Sequence, residues 1–232
     1  NESLTLPYYR SRTMASWVGQ FVRRHRQGRA LVFSSSMAQY IEPYPQLHCV
    51  VDFCDVDSAK WAEYAPRHRW PLSWLYGREA RLLLEYEARI ARQVPAVTFV
   101  SEAETDLFRT LAPDAAAHAH AVGNGVDSEF FSPDLASVSP FPEGDTTLVF
   151  TGAMNYWPNI DAVLWFVREA WPALSAAQPQ LRLAVVGMNP ATEIRALESD
   201  PRILVTGTVP DVRPYIRHAS VLVAPLRVAR GV

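Results

Sequence analysis

A glycine turn between an apolar run and a helical pattern is the first feature that could bind a charged ligand. The residues Leu148–Phe150 are apolar, Gly152 follows them, and Pro158 opens a pattern with helical spacing. A strand, a glycine turn and a helix in this order bring backbone N–H groups and a helix N-terminus beside a bound phosphate. The intervening loop, Ala153–Tyr156, contains no cation. The turn therefore offers backbone donors, and the charge that neutralises a phosphate must come from elsewhere.

Three further apolar runs extend this arrangement, and arginines that follow the last of them could supply that charge. Segments 181–187, 203–207 and 220–226 predict strands, and helices are predicted at 158–171, 190–199 and 211–218. Such alternation predicts a parallel sheet with right-handed crossovers, so the carboxyl ends of all strands meet at one edge. Arginine at that edge matches the planar oxygens of a diphosphate. The predicted edge residues are Gly152, Gly187, Gly207, Pro225, Arg227 and Arg230. The chain has no G-x-G-x-x-G or P-loop motif, which argues against the usual dinucleotide and P-loop classes.

Acidic residues end a predicted strand in the first half of the chain. His48–Phe53 predicts a buried strand, with Asp52 within it and Asp55 just beyond it. Open parallel sheets bind ligands at this edge, and a buried carboxylate is costly unless it is paired or used in chemistry. Two interpretations stay open for these residues, a catalytic or acceptor-orienting role and a structural one. Asp57 or Ser58 is expected to cap the next helix.

Two serines also follow predicted strands. Ser34 follows Ala30–Phe33, and Ser101 follows Ala96–Val100. Either serine can cap a helix or contact a ligand, and the pair Ser101 and Glu104 has the spacing of a capping box. The two cysteines are five residues apart on one predicted strand, which is neither a redox pair nor a metal-binding spacing. We predict no metal site.

The composition predicts two globular domains. The chain has 232 residues, of which 49% are hydrophobic, enough for two cores. The net charge is −2, with no long run of either sign, which argues against a nucleic-acid partner. No segment reaches the roughly 20 apolar residues of a membrane-spanning helix. A stretch rich in Pro, Ser and Asp at 133–144 predicts a linker, so we place the domains at 1–137 and 138–232.

Several strings in the sequence resemble one enzyme family. NGVDSEFFSP (124–133), LVFTGAM, LAVVG and ILVTGTVPDVRPYIRHASVLVAPLR resemble GT-B glycosyltransferases of family 4, the glycosyl transferases group 1. VVDFCDVDSAKW (50–61), FTGAMNYWPNIDAVLWF (150–166) and DVRPYI…APLRVARG (211–231) are similar to the sugar transferases of bacterial exosortase (PEP-CTERM) and exopolysaccharide systems. The resemblance covers essentially the whole chain. It implies an α/β GT-B fold, with two Rossmann-like parallel-sheet domains facing a cleft. It also implies a first strand before Asn1 and an E-x7-E motif after Val232, so we expect both domains to be truncated at the chain ends.

The resemblance further implies a function and a distribution of roles. A retaining enzyme of this family moves a sugar from a nucleotide-sugar donor to a glycan or lipid-linked acceptor, here in exopolysaccharide or surface-glycan biosynthesis. The donor is a substrate, so no cofactor is expected. The location implied is the cytoplasm, with peripheral association at the inner face of the cell membrane left open. Many members carry a His where Cys54 or Asp55 falls here, and a cation in the loop Ala153–Tyr156, which this chain lacks.

The site residues that follow from the resemblance fall into three groups. Asp52 and Asp55 are the expected catalytic residues, and Ser34 and Ser101 lie on the acceptor side. The nucleotide base is expected near Thr208–Asp211. The expected donor-binding residues are Gly152, Ala153, Asn155, Gly187, Val209, Asp211, Pro225, Arg227, Arg230 and Gly231.

Two other functions share this architecture. A GT-B nucleotide-sugar 2-epimerase would exchange epimers in a UDP-dependent reaction and transfer no sugar. A non-catalytic module would bind a nucleotide sugar without turnover. An assay for sugar transfer to an acceptor distinguishes both from a transferase.

Overall fold

Two parallel four-stranded sheets, one in each half of the chain, form the framework of the protein. The computed structural model describes residues 2–25, 28–134 and 136–227, and the chain divides after Gly125 into two units. The predicted α/β class with two parallel sheets is confirmed. Within the described residues, no helix is long and apolar enough to cross a membrane.

The first unit alternates strands and helices after two N-terminal helices. Its elements are α1 (Thr5–Tyr8), α2 (Arg12–Arg24), β1 (Arg29–Phe33), β2 (His48–Cys54), α3 (Asp57–Tyr64), α4 (Leu72–Gln93), β3 (Ala96–Phe99), α5 (Glu102–Leu111) and β4 (Ala119–Ala121). Short 3₁₀ turns follow β1, α3 and α5. Serine side chains cap two of the helices: Ser11 accepts a hydrogen bond from the N–H of Met14 and Ser101 from that of Glu104.

The first sheet has the strand order β1-β2-β3-β4. Each strand is followed by its neighbour on the same side. Because such crossovers are almost always right-handed, the connecting helices lie on one face of the sheet. Val51, Phe53 and Phe99 are buried on that face. Leu31 and Phe33 of β1 point to the opposite face and are 77% and 71% exposed. The core of this unit therefore lies on one side of its sheet.

The second unit repeats the strand–helix alternation. Its elements are β5 (Thr146–Thr151), α6 (Trp157–Glu169), α7 (Trp171–Ala177), β6 (Leu181–Val186), α8 (Thr192–Arg195), β7 (Ile203–Gly207), α9 (Arg213–Arg217) and β8 (Val221–Leu222). The helix predicted at 158–171 is two helices that meet at Ala170, because Pro172 cannot continue the first.

The second sheet has the strand order β7-β6-β5-β8 and is covered on both faces. Leu148, Phe150 and Val185 belong to a core with α6 and α7, whereas Val149 and Val186 belong to a core beside α9. The chain steps from β5 outward to β7 and then returns to the other side of β5. Such a reversal leaves a crevice at the carboxyl ends of the two strands that flank it, which is where open α/β sheets bind ligands.

The segment that follows Gly125 packs on α9. Arg213 lies over the ring of Phe130, with 3.8 Å between the guanidinium carbon and the ring centroid, and donates to the Phe130 carbonyl oxygen at 3.1 Å. Further along, the Ser137 hydroxyl is 3.2 Å from Nε2 of His218. These contacts place residues 126–134, 136 and 137 with the second unit. The boundary predicted at 137/138 stays a prediction.

Candidate functional site

The glycine turn after β5 is tied to the loop after β6 by backbone hydrogen bonds. Gly152 N donates to the Val186 carbonyl at 3.0 Å, and Met154 N donates to the Met188 carbonyl at 2.8 Å. The Met154 side chain is fully buried and the Met154 carbonyl accepts from Ala191 N at 3.0 Å. The two loops therefore form one rigid surface at the carboxyl edge of the second sheet.

Gly187 is required by this contact between the loops. A Cβ atom at Gly187 would lie 1.6 Å from the carbonyl oxygen of Gly152, which no side chain can tolerate. The close backbone approach accounts for glycine at this position without a ligand. Gly187 therefore allows the two loops of the predicted donor-binding edge to pack together. Its direct contact with a donor stays a prediction.

The first turn of α6 holds the same loop. Asn159 Nδ2 donates to the Ala153 carbonyl oxygen at 3.1 Å, and a Cβ at Gly152 would lie 2.7 Å from that nitrogen. Asn155 is exposed and Ala153 is half-buried. Sequence reasoning missed Asn159, although an amide in the first helical turn after a glycine loop is a recognisable signal for side-chain bonding to that loop.

Arg227 follows β8 and is anchored to α6. Its Nε donates to Asp161 Oδ2 at 3.0 Å and its Nη2 donates to Oδ1. This bidentate ion pair holds the predicted phosphate-binding cation beside the helix that begins after the Gly152 loop. Pro225 is half-buried just before it. The ion pair thus connects one predicted arginine to the helix that begins after the predicted glycine loop. Arg230 and Gly231 lie outside the described residues.

The predicted base-binding residues lie near α9. Asp211 accepts from the N–H and Nε of Arg213, both at 2.9 Å, and these bonds lower the pKa of the Asp211 carboxyl. Asp211 also lines a cavity of about 380 Å³ between α9 and residues 131–133 and 136–137. Val209 packs against the core beside that helix. Asp211 and Arg213 therefore join the chain after Gly125 to the rest of the second unit.

In the first unit, Asp52 closes an irregular turn at the end of β2. Its Oδ1 accepts from Cys54 N at 3.1 Å and from the Thr98 hydroxyl at 3.0 Å. Cys54 has a φ of 63°, a conformation that few residues other than glycine adopt. These bonds support the structural interpretation of Asp52, and its predicted catalytic role is untested. Burial, followed by the charge of Asp52, raises the pKa of Cys54 to about 11, so the thiol is protonated at neutral pH.

Carboxylates from distant helices hold the start of α3. Glu104 on α5 accepts from Val56 N at 2.8 Å, and Glu87 on α4 accepts from the Ser58 hydroxyl at 2.5 Å. Burial raises the pKa of Glu87 to about 8 and also raises that of Asp57. Asp55, half-buried, lies in the turn between β2 and this helix. The loop that carries the predicted acid is therefore rigidly positioned.

Sequence reasoning assigned several of these roles differently. The expected capping by Asp57 or Ser58 is wrong, since α3 begins at Asp57 and no side chain caps it locally. In the predicted capping box, Ser101 does cap α5. Glu104 instead reaches the neighbouring loop. The sequence offered one signal for these hydrogen bonds, because Glu87 occupies a position of α4 that otherwise carries core residues.

A cavity of about 420 Å³ lies beside this loop within the first unit. Asp57, Lys60 and Trp61 contribute from α3, and Ser34, with its hydroxyl 3.1 Å from that of Ser36, contributes from the end of β1. The full lining is Leu4, Thr5, Tyr8, Tyr9, Ser34, Ser36, Asp57, Lys60, Trp61, Leu75, Tyr76 and Glu79. The mixture of aromatic rings, hydroxyls and charges suits a polyhydroxylated ligand, because rings contact its C–H faces and polar atoms bind its hydroxyls.

The wall of this cavity is built around a buried acid. Glu79 accepts hydrogen bonds from the Ser3 hydroxyl at 2.5 Å and from the N–H groups of Leu4 and Thr5 at 2.6 and 2.9 Å. Burial opposes ionisation, but these bonds outweigh it and lower the pKa of Glu79. Of the four first-unit residues predicted as functional, Ser34 lines the cavity, whereas Asp52, Asp55 and Ser101 are not part of its lining. Across the described ranges, no group of three or more His, Cys, Asp or Glu side chains could hold a metal ion.

The two Rossmann-like parallel sheets give the chain a GT-B-like α/β fold. Residues 145–232 match the family model for glycosyl transferases group 1. The match includes none of residues 1–144.

Solved structures share the fold of both units. HepE from Anabaena in complex with UDP and glucose is 13% identical, with a TM-score of 0.54 over 89% of this chain and 55% of its own. The apo structure of OtsA is 10% identical, with a TM-score of 0.58 over 89% of this chain and 53% of its own. The chain thus spans about half the length of these proteins. No curated protein matches it in sequence.

Proposed function

We propose that the protein is a retaining glycosyltransferase that moves a sugar from a nucleotide-diphosphate donor to a glycan or lipid-linked acceptor. The observation that carries the proposal is the match of residues 145–232 to glycosyl transferases group 1. It coincides with the crevice beside β5, at a topological switch point of the second sheet. Binding of UDP and glucose by HepE suggests a uridine nucleotide as the first donor to test.

The donor diphosphate occupies the crevice between β5 and β8 in this proposal. The loop residues Gly152, Ala153 and Asn155 and the N-terminus of α6 face it, and Arg227 supplies positive charge. The base lies near Val209 and Asp211. Fixed donors that stabilise the departing phosphate are the main source of rate enhancement, because they need no rearrangement as the sugar leaves.

The acceptor occupies the cavity of the first unit. Ser34 lines it and Asp57 and Trp61 supply a carboxylate and a ring, so a sugar hydroxyl and a sugar face both find partners there. Asp55 and Asp52 are the candidates for orienting or activating the acceptor, and Ser101 completes the predicted acceptor side. The three longer sequence strings support a place among the sugar transferases of exosortase and exopolysaccharide systems. A cytoplasmic location, with contact at the inner membrane face, follows from that placement.

Calorimetric titration of the chain with a panel of nucleotide-diphosphate sugars tests donor binding. Arg227→Ala should weaken binding by on the order of tenfold or more, because a hydrogen bond to a charged group contributes about 1.5–3 kcal/mol. Arg168→Ala, which removes an exposed arginine paired with Glu169 on α6, is the matched control and should leave affinity unchanged. Unchanged affinity in both Arg227→Ala and Arg230→Ala would refute the phosphate assignment.

A transfer assay tests the activity itself. Label from the donor sugar should appear in a glycan or lipid-linked acceptor. Release of an epimerised sugar without transfer would identify an epimerase, and binding without turnover would identify a sensing module.

A further inference from the structure

The cavity of about 420 Å³ in the first unit has more carboxylates than cations in its wall. Among the described residues that line it, Lys60 is the one cation, and Asp57 and Glu79 are the two carboxylates. Lys60 Nζ lies 3.6 Å from Asp57 Oδ1, and the two side chains are 24% and 30% exposed. The cation of the wall is therefore already paired with a carboxylate.

The second carboxylate is held by neutral donors. Burial raises the pKa of Glu79, but hydrogen bonds from Ser3, Leu4 and Thr5 outweigh it and lower the pKa overall. The Thr5 hydroxyl is one of these donors, at 2.7 Å from Glu79 Oε1. Hydroxyl and amide donors stabilise the ionised carboxylate but leave its net charge in place. The wall thus keeps a negative charge.

Two arginines that bond to the same N-terminal segment lie outside the lining. Arg10 pairs with Glu2 at 2.6 Å, and Arg78 donates to the Glu2 carbonyl oxygen at 3.3 Å. A ligand anion inside the cavity would therefore meet Glu79 with no further cation in the described wall to offset it. Repulsion of this kind is stronger in a partly buried site than in water, because the effective dielectric constant is lower.

The uncharged part of the lining suits a sugar. It includes four aromatic residues, Tyr8, Tyr9, Trp61 and Tyr76. The ring centroids of Trp61 and Tyr76 are 5.2 Å apart, and those of Tyr8 and Tyr9 are 4.9 Å apart. The cavity volume lies within the range of small-molecule sites, roughly 300–1,000 Å³. A terminal sugar unit is therefore a suitable occupant.

The wall that carries Tyr8 and Tyr9 is fixed by hydrogen bonds. The Tyr40 hydroxyl donates to the Tyr9 carbonyl oxygen at 2.5 Å, and Gln39 Nε2 donates to the Leu6 carbonyl oxygen at 3.2 Å. The cavity is therefore preformed, and a sugar can bind without first ordering this segment.

We propose that this cavity binds an uncharged terminal sugar of the acceptor and rejects a sugar that carries a phosphate. The inference rests on the proposed function, in which the cavity holds the acceptor. Within the acceptor classes named there, it selects a sugar that is separated from any phosphate by further sugar units. A sugar hydroxyl can donate to the Asp57 carboxylate and accept from the Lys60 ammonium. A phosphate can only accept, and it adds negative charge beside Glu79.

Saturation-transfer NMR titrations of the whole chain test the proposal. The probes are the methyl α-glycosides of glucose, galactose, mannose and N-acetylglucosamine, each compared with the α-1-phosphate of the same sugar. At least one methyl glycoside should bind, and its 1-phosphate should bind about tenfold more weakly or less, because bringing like charges together is destabilising. Absence of binding by all four methyl glycosides overturns the proposal.

Substitution of an aromatic residue assigns the binding to the cavity. Trp61→Ala should weaken methyl glycoside binding by about fivefold. Trp74→Ala, which removes a ring that is 62% exposed on α4 and outside the lining, is the matched control and should bind as the parent does. Circular dichroism checks the fold, and Tyr8→Ala replaces Trp61→Ala if that variant is unfolded. The comparison with the 1-phosphate uses the binding that this variant weakens, and a 1-phosphate that binds there as tightly as the methyl glycoside overturns the proposal.

Two substitutions at the ion pair should change the preference in opposite directions. Asp57→Asn removes the carboxylate that pairs with Lys60, so the preference for the methyl glycoside should fall by about fivefold, and Lys60→Gln should raise it. Asp106→Asn is the matched control, because it breaks an exposed ion pair with Arg109 at the same spacing of three residues. Damage to the fold would lower both affinities together. A preference that neither variant at the ion pair changes overturns the proposal.

The outcomes distinguish this inference from the proposed function. The titrations contain no donor, so the preference for an uncharged sugar can hold in a chain that transfers no sugar, and the proposed function alone then fails. Transfer to a sugar 1-phosphate that binds in the cavity would overturn this inference and leave the proposed function in place.

Discussion

Replacing Gly187 by alanine should disrupt the edge of the second sheet that is proposed to bind the donor. The added Cβ would meet the Gly152 carbonyl oxygen at 1.6 Å. That oxygen belongs to the backbone, so a side-chain rotation cannot relieve the clash. The loops after β5 and β6 must separate, and the hydrogen bonds between them must lengthen.

The size of the effect follows from these contacts. Gly152 N to the Val186 carbonyl and Met154 N to the Met188 carbonyl are the bonds at risk, and each contributes about 1 kcal/mol net. Overpacking adds about 1–3 kcal/mol. The total of about 3–5 kcal/mol is a large part of the roughly 5–15 kcal/mol by which a domain is stable.

The same substitution at Gly77 is the matched control. Gly77 lies within α4, and a Cβ there meets nothing within 4 Å. Gly77→Ala should therefore stabilise the first unit by about 0.5–1 kcal/mol, since alanine favours the helix. Hydrogen exchange followed by peptide mass spectrometry reports the stability of each unit separately. If peptides from β5 and β6 exchange equally in Gly187→Ala and the parent, the contact between the loops is not as described.

Two other predictions concern the first unit. Burial raises the pKa of Glu87 from 4.5 to about 8, so between these values the folded state retains a proton that the unfolded chain has lost. The free energy of unfolding should fall as pH rises through this window, by up to about 1.4 kcal/mol per pH unit. Glu87→Gln should flatten this dependence in urea titrations, whereas the exposed Glu85→Gln should not; equal slopes for Glu87→Gln and the parent would contradict the assignment. Asp55→Asn should lower turnover more than donor affinity if Asp55 acts on the acceptor, and a parental rate would remove it from the site.

Local sequence patterns predicted most of the strands, although the run at 220–226 forms a strand only at Val221–Leu222. The predicted strands at 30–33, 48–53 and 96–100 lie within one residue of β1, β2 and β3. Short apolar runs bounded by glycine and polar residues are enough to specify strands of this kind. Helix ends were predicted less well. The helix predicted at 190–199 is one turn of α-helix continued by a 3₁₀ turn, because side-chain spacing does not distinguish the two over so few residues.

In the candidate site too, the sequence predicted which residues matter but not the contacts that hold them. Arg227 was predicted as a phosphate ligand from its place after a strand, but its ion pair with Asp161 joins residues 66 positions apart. Gly187 was predicted as a donor-binding residue from its place after a strand, but its close approach to the Gly152 carbonyl joins the ends of two different strands. Neither contact has a local signal, because both partners come from separate elements that only the sheet brings together.

The sequence by itself determined the two parallel sheets, the glycine turn after β5 and the cap at Ser101. These features depend on residues within a few positions of one another, where spacing decides the backbone conformation. Only the tertiary structure decided what holds the start of α3. Glu104 and Glu87 reach it from 48 and 29 residues away. Buried N–H and hydroxyl groups must find acceptors, and distant carboxylates can meet that requirement only after the chain has folded.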